Sequence, residues 1–185
     1  MRRIRTGSYH FASDAEGTEV TNVNTIQSDT GGMFGKADKK TVLRNVQKAL
    51  DASKLDYEMA ENDVILLSAM GDDLPIGMMI VADDDNRTLN IYCYLLFDIP
   101  EEARAKLIPE LNRVNNTINN GGFYMDNDEP KNYFKIVQSY FDRAPSVDTI
   151  RHLVMIAFKT VDVNDGNLKG LIPASAVRKI DYMYS

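Results

Sequence analysis

Short apolar runs alternate with clusters of turn-forming residues between positions 55 and 97, and this alternation constrains the fold more than any other feature. The runs are Tyr57 with Met59, then 64–69, 76–82 and 89–97. The intervening segments 61–63, 71–73 and 83–86 are rich in Asp, Asn and Gly, which favour tight turns. Strands joined by such turns form antiparallel hairpins. The pattern therefore predicts an antiparallel sheet of three or four strands.

Three helices are predicted around these strands. Asp38 is a typical N-cap, and the apolar spacing after it predicts a first helix to about Ser53. Pro100 begins a second helix that ends near 120–122, and Pro109 inside it predicts a kink or a break. Two more strands, at 123–125 and 133–141, flank a turn at 126–130. Ser146 then caps a third helix, followed from residue 162 by a polar turn and, after residue 173, by a possible short helix.

This element order predicts one α+β domain. The order is helix, antiparallel three-strand sheet, helix, two strands, helix. With 185 residues, 44% of them hydrophobic, the chain is large enough for a single core. Residues 1–37 are poor in bulky apolar side chains and are interpreted as a flexible N-terminal arm. Residues 38–185 form the predicted domain, with a C-terminal tail from about 166.

Charge and cysteine content narrow the environment and the partners. The formal net charge of −6 disfavours nucleic acid as a partner, because the basic residues are not strongly clustered. The apolar runs are shorter than the ~20 residues that cross a bilayer, so no membrane association is expected. Cys93 is the only cysteine, which excludes an intrachain disulfide and favours the cytoplasm.

A search for catalytic, metal or cofactor residues finds none. His10 and His152 are the only histidines, and neither stands in a triad or zinc pattern. The segment 162–167 begins like a calcium loop but lacks its later ligands, and no phosphate-binding glycine motif is present. A carboxylate pair stays open as an alternative, with candidates Glu101, Glu102, Asp126, Asp128 and Glu129.

Apolar residues exceed what one small core requires. Run 89–97 is apolar on both faces, the third helix has a broad apolar stripe, and nine methionines are present. Methionine adapts to irregular partners. We therefore predict a protein interface, and the alternative is that all of these residues belong to an ordinary core. The candidate interface residues are Tyr92, Tyr94, Leu96, Ile150, Leu153 and Val154.

Three segments carry a resemblance to a known family. They are the hairpin 76–82 to 89–94, the helix opening 99–104 (Ile-Pro-Glu-Glu-Ala-Arg), and segment 111–116 (Leu-Asn-Arg-Val-Asn-Asn) running into 121–123 (Gly-Gly-Phe). Over about residues 38–165 the chain resembles the YbjN-like family, also called bacterial sensory transduction regulators, and its element order resembles the class I type III secretion chaperones.

The resemblance implies a small cytoplasmic bacterial protein that forms a homodimer and has no enzymatic activity or cofactor. It also implies an extended segment of a partner protein as a possible ligand. The predicted function is a protein-interaction module, either chaperone-like or a regulatory adaptor. The alternative is a small-molecule sensor or carboxylate-dependent enzyme with a pocket between the sheet and the second helix.

Overall fold

The structure is a computed structural model that describes residues 37–72, 74–95, 97, 99–126 and 132–173. The predicted arm at 1–37 lies outside these residues apart from its last position. Most of the predicted turn at 126–130 and the short helix after residue 173 also lie outside them.

Six strands form one antiparallel sheet, in the order β1-β2-β3-β4-β6-β5. The predicted α+β class is confirmed. The two predicted groups of strands share this sheet because β6 pairs with β4, with Ile91 opposite Ile136. The strands are β1 Tyr57–Met59, β2 Ile65–Met70, β3 Pro75–Asp83, β4 Thr88–Leu95, β5 Gly122–Met125 and β6 Asn132–Ser139.

The first helix, α1, spans Lys39–Ala52 as predicted. Its N-cap, Asp38, accepts a hydrogen bond of 2.7 Å from the Thr41 amide. This hydrogen bonding lowers the pKa of the Asp38 carboxyl, because it stabilises the charged form. The buried face of α1 comprises Val42, Leu43, Val46, Ala49 and Leu50.

The second helix, α2, spans Glu101–Asn115 without interruption. The predicted break at Pro109 is therefore wrong. Proline removes the hydrogen bond to the carbonyl four residues earlier, that of Ala105. Both Ala105 and Pro109 are on the exposed side of α2, where water can satisfy that carbonyl.

The third helix, α3, spans Val147–Lys169 and is longer than predicted. The predicted polar turn from residue 162 is wrong, and residues 166–169 at the start of the predicted tail are helical. Val161, Asp165 and Leu168 continue the buried stripe at spacings of four and three residues, and all three are fully buried. The stripe is hidden in the sequence because Asp165 is charged and Gly166 disfavours helices.

All three helices share one core with a single face of the sheet. In β3 and β4, alternate side chains such as Ile80 and Ile91 are fully buried against α1 and α3. Helix α2 packs on β5 and α3. Alternation along the strands sends the remaining side chains to the opposite face. That outer face bears no helix in the part of the chain that the structure describes.

Gly71 stands where the β2–β3 turn meets α3. The Asp72 amide donates a 2.6 Å hydrogen bond to Asp162 Oδ1, and the Gly71 amide donates to the Leu74 carbonyl at 2.9 Å. A Cβ atom on Gly71 would overlap Asp162 Oδ1 and lie 2.8 Å from the Leu74 oxygen.

We predict that Gly71→Ala lowers the free energy of unfolding by about 1–3 kcal/mol, because this contact leaves no room for a methyl group. Gly170→Ala is the matched control. Gly170 has helical φ and ψ, and its added Cβ would meet nothing nearer than 3.4 Å, so it should be neutral or slightly stabilising. Urea denaturation measures the free energy of unfolding of both variants. Equal losses of stability in the two variants would contradict the close packing at Gly71.

Candidate protein-interaction surface

Four tyrosines and one lysine meet on the outer face of the sheet. Tyr94, Tyr133 and Tyr124 are directly opposite one another across β4, β6 and β5. Tyr92 and Lys135 form the next row. We call this group the tyrosine face: Tyr92, Tyr94, Tyr124, Tyr133 and Lys135.

Tyr133 is at the centre of the tyrosine face. Its ring centroid is 5.8 Å from that of Tyr92, 6.0 Å from Tyr94 and 5.8 Å from Tyr124. These distances are typical of attractive aromatic pairs, which stabilise neighbouring strands. The four rings therefore form one continuous aromatic cluster.

Lys135 adds a positive charge to this cluster. Its Nζ atom lies 4.9 Å from the centroid of the Tyr92 ring. A cation over the face of an aromatic ring is attracted by the electron density of the ring. The ammonium group is consequently held close to the rings.

The apolar outer face extends beyond the tyrosines. Met79 pairs with Tyr92, and Val81 of the same strand is also half-buried on this face. Tyr124 is 49% exposed and Val137 is 51% exposed. Apolar side chains that are exposed or half-buried on one surface in this way are typical of sites of protein association.

The predicted interface residues fall into three groups. Tyr92 and Tyr94 lie on the tyrosine face and are half-buried. Leu96 lies outside the described residues. Ile150, Leu153 and Val154 of α3 are 0%, 6% and 1% exposed. Their stripe is broad because it meets both the sheet and the neighbouring helices, so these three side chains fill the core of the chain itself.

Sequence reasoning missed three members of the surface: Tyr124, Tyr133 and Lys135. The alternation of polar and apolar residues along β6 signals that Tyr133 and Lys135 share a face. Their position beside Tyr92 and Tyr94 depends on the long-range pairing of β6 with β4, which has no local signal.

Neither of the described residues Cys93 and His152 lies on the tyrosine face. Cys93 is fully buried, and burial raises the pKa of its thiol. His152 is exposed on α3, and His10 lies outside the described residues. Among the described residues no group of three His, Cys, Asp or Glu side chains is placed to hold a metal ion, and no helix is long and apolar enough to span a bilayer.

An open cleft lies between α2 and the residues that follow α3. Its volume is about 370 Å³. The cleft is lined by Glu102, Ala103, Lys106, Gly170, Leu171, Ile172 and Pro173. It lies away from the predicted pocket between the sheet and α2, and its described lining contains one carboxylate, that of Glu102.

Comparison with known families identifies the fold. The model of the YbjN family, described as "Putative bacterial sensory transduction regulator", matches residues 43–165. The chain belongs to the YbjN family. The resemblance predicted from the three sequence segments is thereby confirmed. No curated protein sequence matches this YbjN-family chain.

Two solved structures are similar to the chain. The crystal structure of YbjN from E. coli, titled "a putative transcription regulator", superposes with a TM-score of 0.54 at 14% identity, covering 69% of this chain and 91% of that one. At that identity the similarity establishes the fold. The ExsC-ExsE complex superposes with a TM-score of 0.46 at 11% identity, covering 74% of this chain and 97% of that one.

The tyrosine face makes a prediction about ionisation. Burial raises the pKa of Tyr133, while the positive charge of Lys135 lowers it by stabilising the phenolate. Replacing Lys135 removes the lowering contribution, so Lys135→Met should raise the pKa of Tyr133 further. NMR titration of the labelled tyrosine ring carbon measures it. Lys106→Met on α2 is the control, and an unchanged or lower pKa in Lys135→Met would refute the arrangement.

Proposed function

We propose that this YbjN-family chain is a non-enzymatic protein-interaction module, a chaperone-like binder or regulatory adaptor, that acts as a homodimer in the cytoplasm. The observation that carries the proposal is the tyrosine face. It is an aromatic surface on the side of the sheet that no described helix covers, and the chain's own helices pack against the other side.

The composition of the tyrosine face suits a protein partner. Tyrosine offers a large, rigid contact area with a polar hydroxyl, and few rotatable bonds are frozen when it binds. Aromatic residues are enriched in protein interfaces for this reason. The mutual ring contacts of Tyr133 restrict the side chains before any partner arrives, which lowers the entropic cost of binding further.

A second copy of the chain is the proposed first partner. Two antiparallel sheets pack face to face at about 10 Å when both inner faces carry interdigitating apolar side chains. The rows containing Met79, Val81 and the tyrosines provide such side chains on one face. The expectation of a homodimer from the family resemblance supports the same arrangement.

The non-enzymatic part of the proposal rests on the family description and on the surface itself. The rival, a carboxylate-dependent enzyme or small-molecule sensor, requires two or more carboxylates that face one pocket. The cleft beside α2 is not that pocket, because its described lining contains no sheet residue, and it carries one carboxylate, that of Glu102. The buried lone Cys93 suits a reducing cytoplasm.

Light scattering tests the homodimer. We expect a mass twice the 20.8 kDa of the chain at micromolar concentration. Tyr124→Asp should raise the dissociation constant roughly 100-fold, because it places an uncompensated carboxylate in the contact at a cost of about 3 kcal/mol.

Met155→Asp is the matched control for this experiment. Met155 is 54% exposed on α3, away from the tyrosine face, and its replacement should leave the dimer intact. A monomeric parent protein would refute the homodimer. If Met155→Asp dissociates the dimer and Tyr124→Asp does not, the two copies make contact through the helices and not through the tyrosine face.

A further inference from the structure

Two adjacent rows of residues cross the outer face of the sheet. A row consists of residues that lie directly opposite one another on neighbouring strands. The first, which we call the tyrosine row, is Ser68, Gly77, Tyr94, Tyr133 and Tyr124. The second, the charged row, is Glu58, Leu66, Met79, Tyr92, Lys135 and Gly122. In each row, the half on β1, β2 and β3 differs from the half on β4, β6 and β5.

The tyrosine row is small in one half and bulky in the other. On β2 and β3 its members are Ser68, which is exposed, and Gly77, which has no side chain. On β4 and β6 its members are Tyr94 and Tyr133. Neighbouring strands lie about 5 Å apart, so two strands with a low surface adjoin two strands with a high surface. The row therefore combines a recess and a ridge of equal width.

The charged row has opposite charges in its two halves. Glu58 is exposed on the edge strand β1, and Lys135 lies on β6. Four strand spacings separate the two residues, about 19 Å, so their side chains cannot pair within one chain. In the part of the chain that the structure describes, neither residue forms an ion pair. Both charges are therefore available to a partner.

A second copy has the shape that fits the tyrosine row. We consider a copy rotated by 180° about an axis that runs parallel to the strands, between β3 and β4. Its β3 then lies over β4, and its β2 lies over β6. Tyr94 faces the partner's Gly77, and Tyr133 faces the partner's Ser68. The ridge of each copy thus enters the recess of the other.

The same rotation brings opposite charges together. Lys135 lies one strand away from the partner's Glu58, which is within reach of two long side chains. The partner's Glu58 itself faces Gly122, which has no side chain in its way. Because the contact is two-fold symmetric, this charge pair forms twice.

The other symmetric way to stack the two sheets is unfavourable. An axis perpendicular to the strands would place each strand over its own copy. Lysine would then face lysine, and like charges in a contact repel. Ridges would meet ridges and leave a gap over Ser68 and Gly77, which loses packing contacts. Volume and charge thus favour the same axis.

We propose that a second copy docks on the outer face in this one register, which the tyrosine row determines by volume and Glu58 with Lys135 determine by charge. The inference rests on the proposed homodimer and adds its register and the residues that select it. Glu58 lies outside the tyrosine face, at the opposite edge of the sheet.

Charge reversal tests this proposal on the full chain. Glu58→Lys makes the charged row positive in both halves, and Lys135→Glu makes it negative in both halves. Each variant alone should have a dissociation constant about tenfold higher than the parent, because both charge contacts join like charges. In an equimolar mixture the two variants should form a mixed dimer with a dissociation constant within about threefold of the parent, because both contacts join opposite charges. Light scattering measures the constants, and native mass spectrometry with one variant isotopically labelled identifies the mixed dimer.

Three further variants complete the charge experiment. The double variant Glu58→Lys, Lys135→Glu exchanges the two charges and should dimerise like the parent. Glu102→Lys and Lys106→Glu are the matched controls, because they make the same charge changes at exposed positions of α2. Each control should leave the dissociation constant of the parent unchanged.

Ser68→Tyr tests the tyrosine row. It fills the recess that the partner's Tyr133 needs, so the dissociation constant should rise about tenfold. Ser68 is exposed, and the monomer accommodates the larger side chain. Asn112→Tyr adds the same side chain at an exposed position of α2 and should match the parent.

The outcomes separate this register from the homodimer itself. If the parent is dimeric and Tyr124→Asp dissociates it, the homodimer through the tyrosine face stands. The register is then overturned if the two charge variants dimerise like the parent, if their mixture does not recover, or if Ser68→Tyr has no effect. A monomeric parent protein would overturn both the homodimer and its register.

Discussion

The rest of this structure depends on one constraint: three helices bury one face of the antiparallel sheet. Successive side chains of a strand point to opposite faces, so each strand contributes to two surfaces. Helices α1, α2 and α3 cover one of them and exclude water from residues such as Ile80, Ile91 and Ile136. The length of α3 matters here, because its stripe from Ile150 to Leu168 lines the same core. No described helix packs on the outer face of the sheet.

The outer face, which no described helix covers, and the β5 edge have different consequences for association. Aromatic contacts around Tyr133 make the outer face a preformed apolar surface, which favours association with a second protein surface. At the β5 edge, Asn115 satisfies the backbone at Phe123, which disfavours association by strand addition. In the proposed homodimer, contacts between copies are made by the outer face, where side chains can determine specificity. Membership of the YbjN family is consistent with a binding role.

Much of the fold follows from local sequence, and much of the surface does not. Asp38 and Ser146 were readable as helix caps because capping depends on a few neighbouring residues. The alternating runs likewise predicted the strands. Pairing of β6 with β4 could not be predicted locally, and it alone places Tyr133 beside Tyr92. The stripe of Ile150, Leu153 and Val154 suggested an interface because periodicity reports burial without saying whether the same chain or another provides it.

In the proposed homodimer the tyrosine face is buried between protein surfaces. Fluorine NMR of protein carrying 3-fluorotyrosine, with signals assigned by single Tyr→Phe changes, tests it most directly. Dilution through the dimer dissociation should shift the signals of Tyr92, Tyr94, Tyr124 and Tyr133 together and increase their solvent exposure. Tyr57, in strand β1 at the far edge of the sheet, should not change. If the Tyr57 signal changes with concentration and the signals of the four face tyrosines do not, the tyrosine face is not the buried surface.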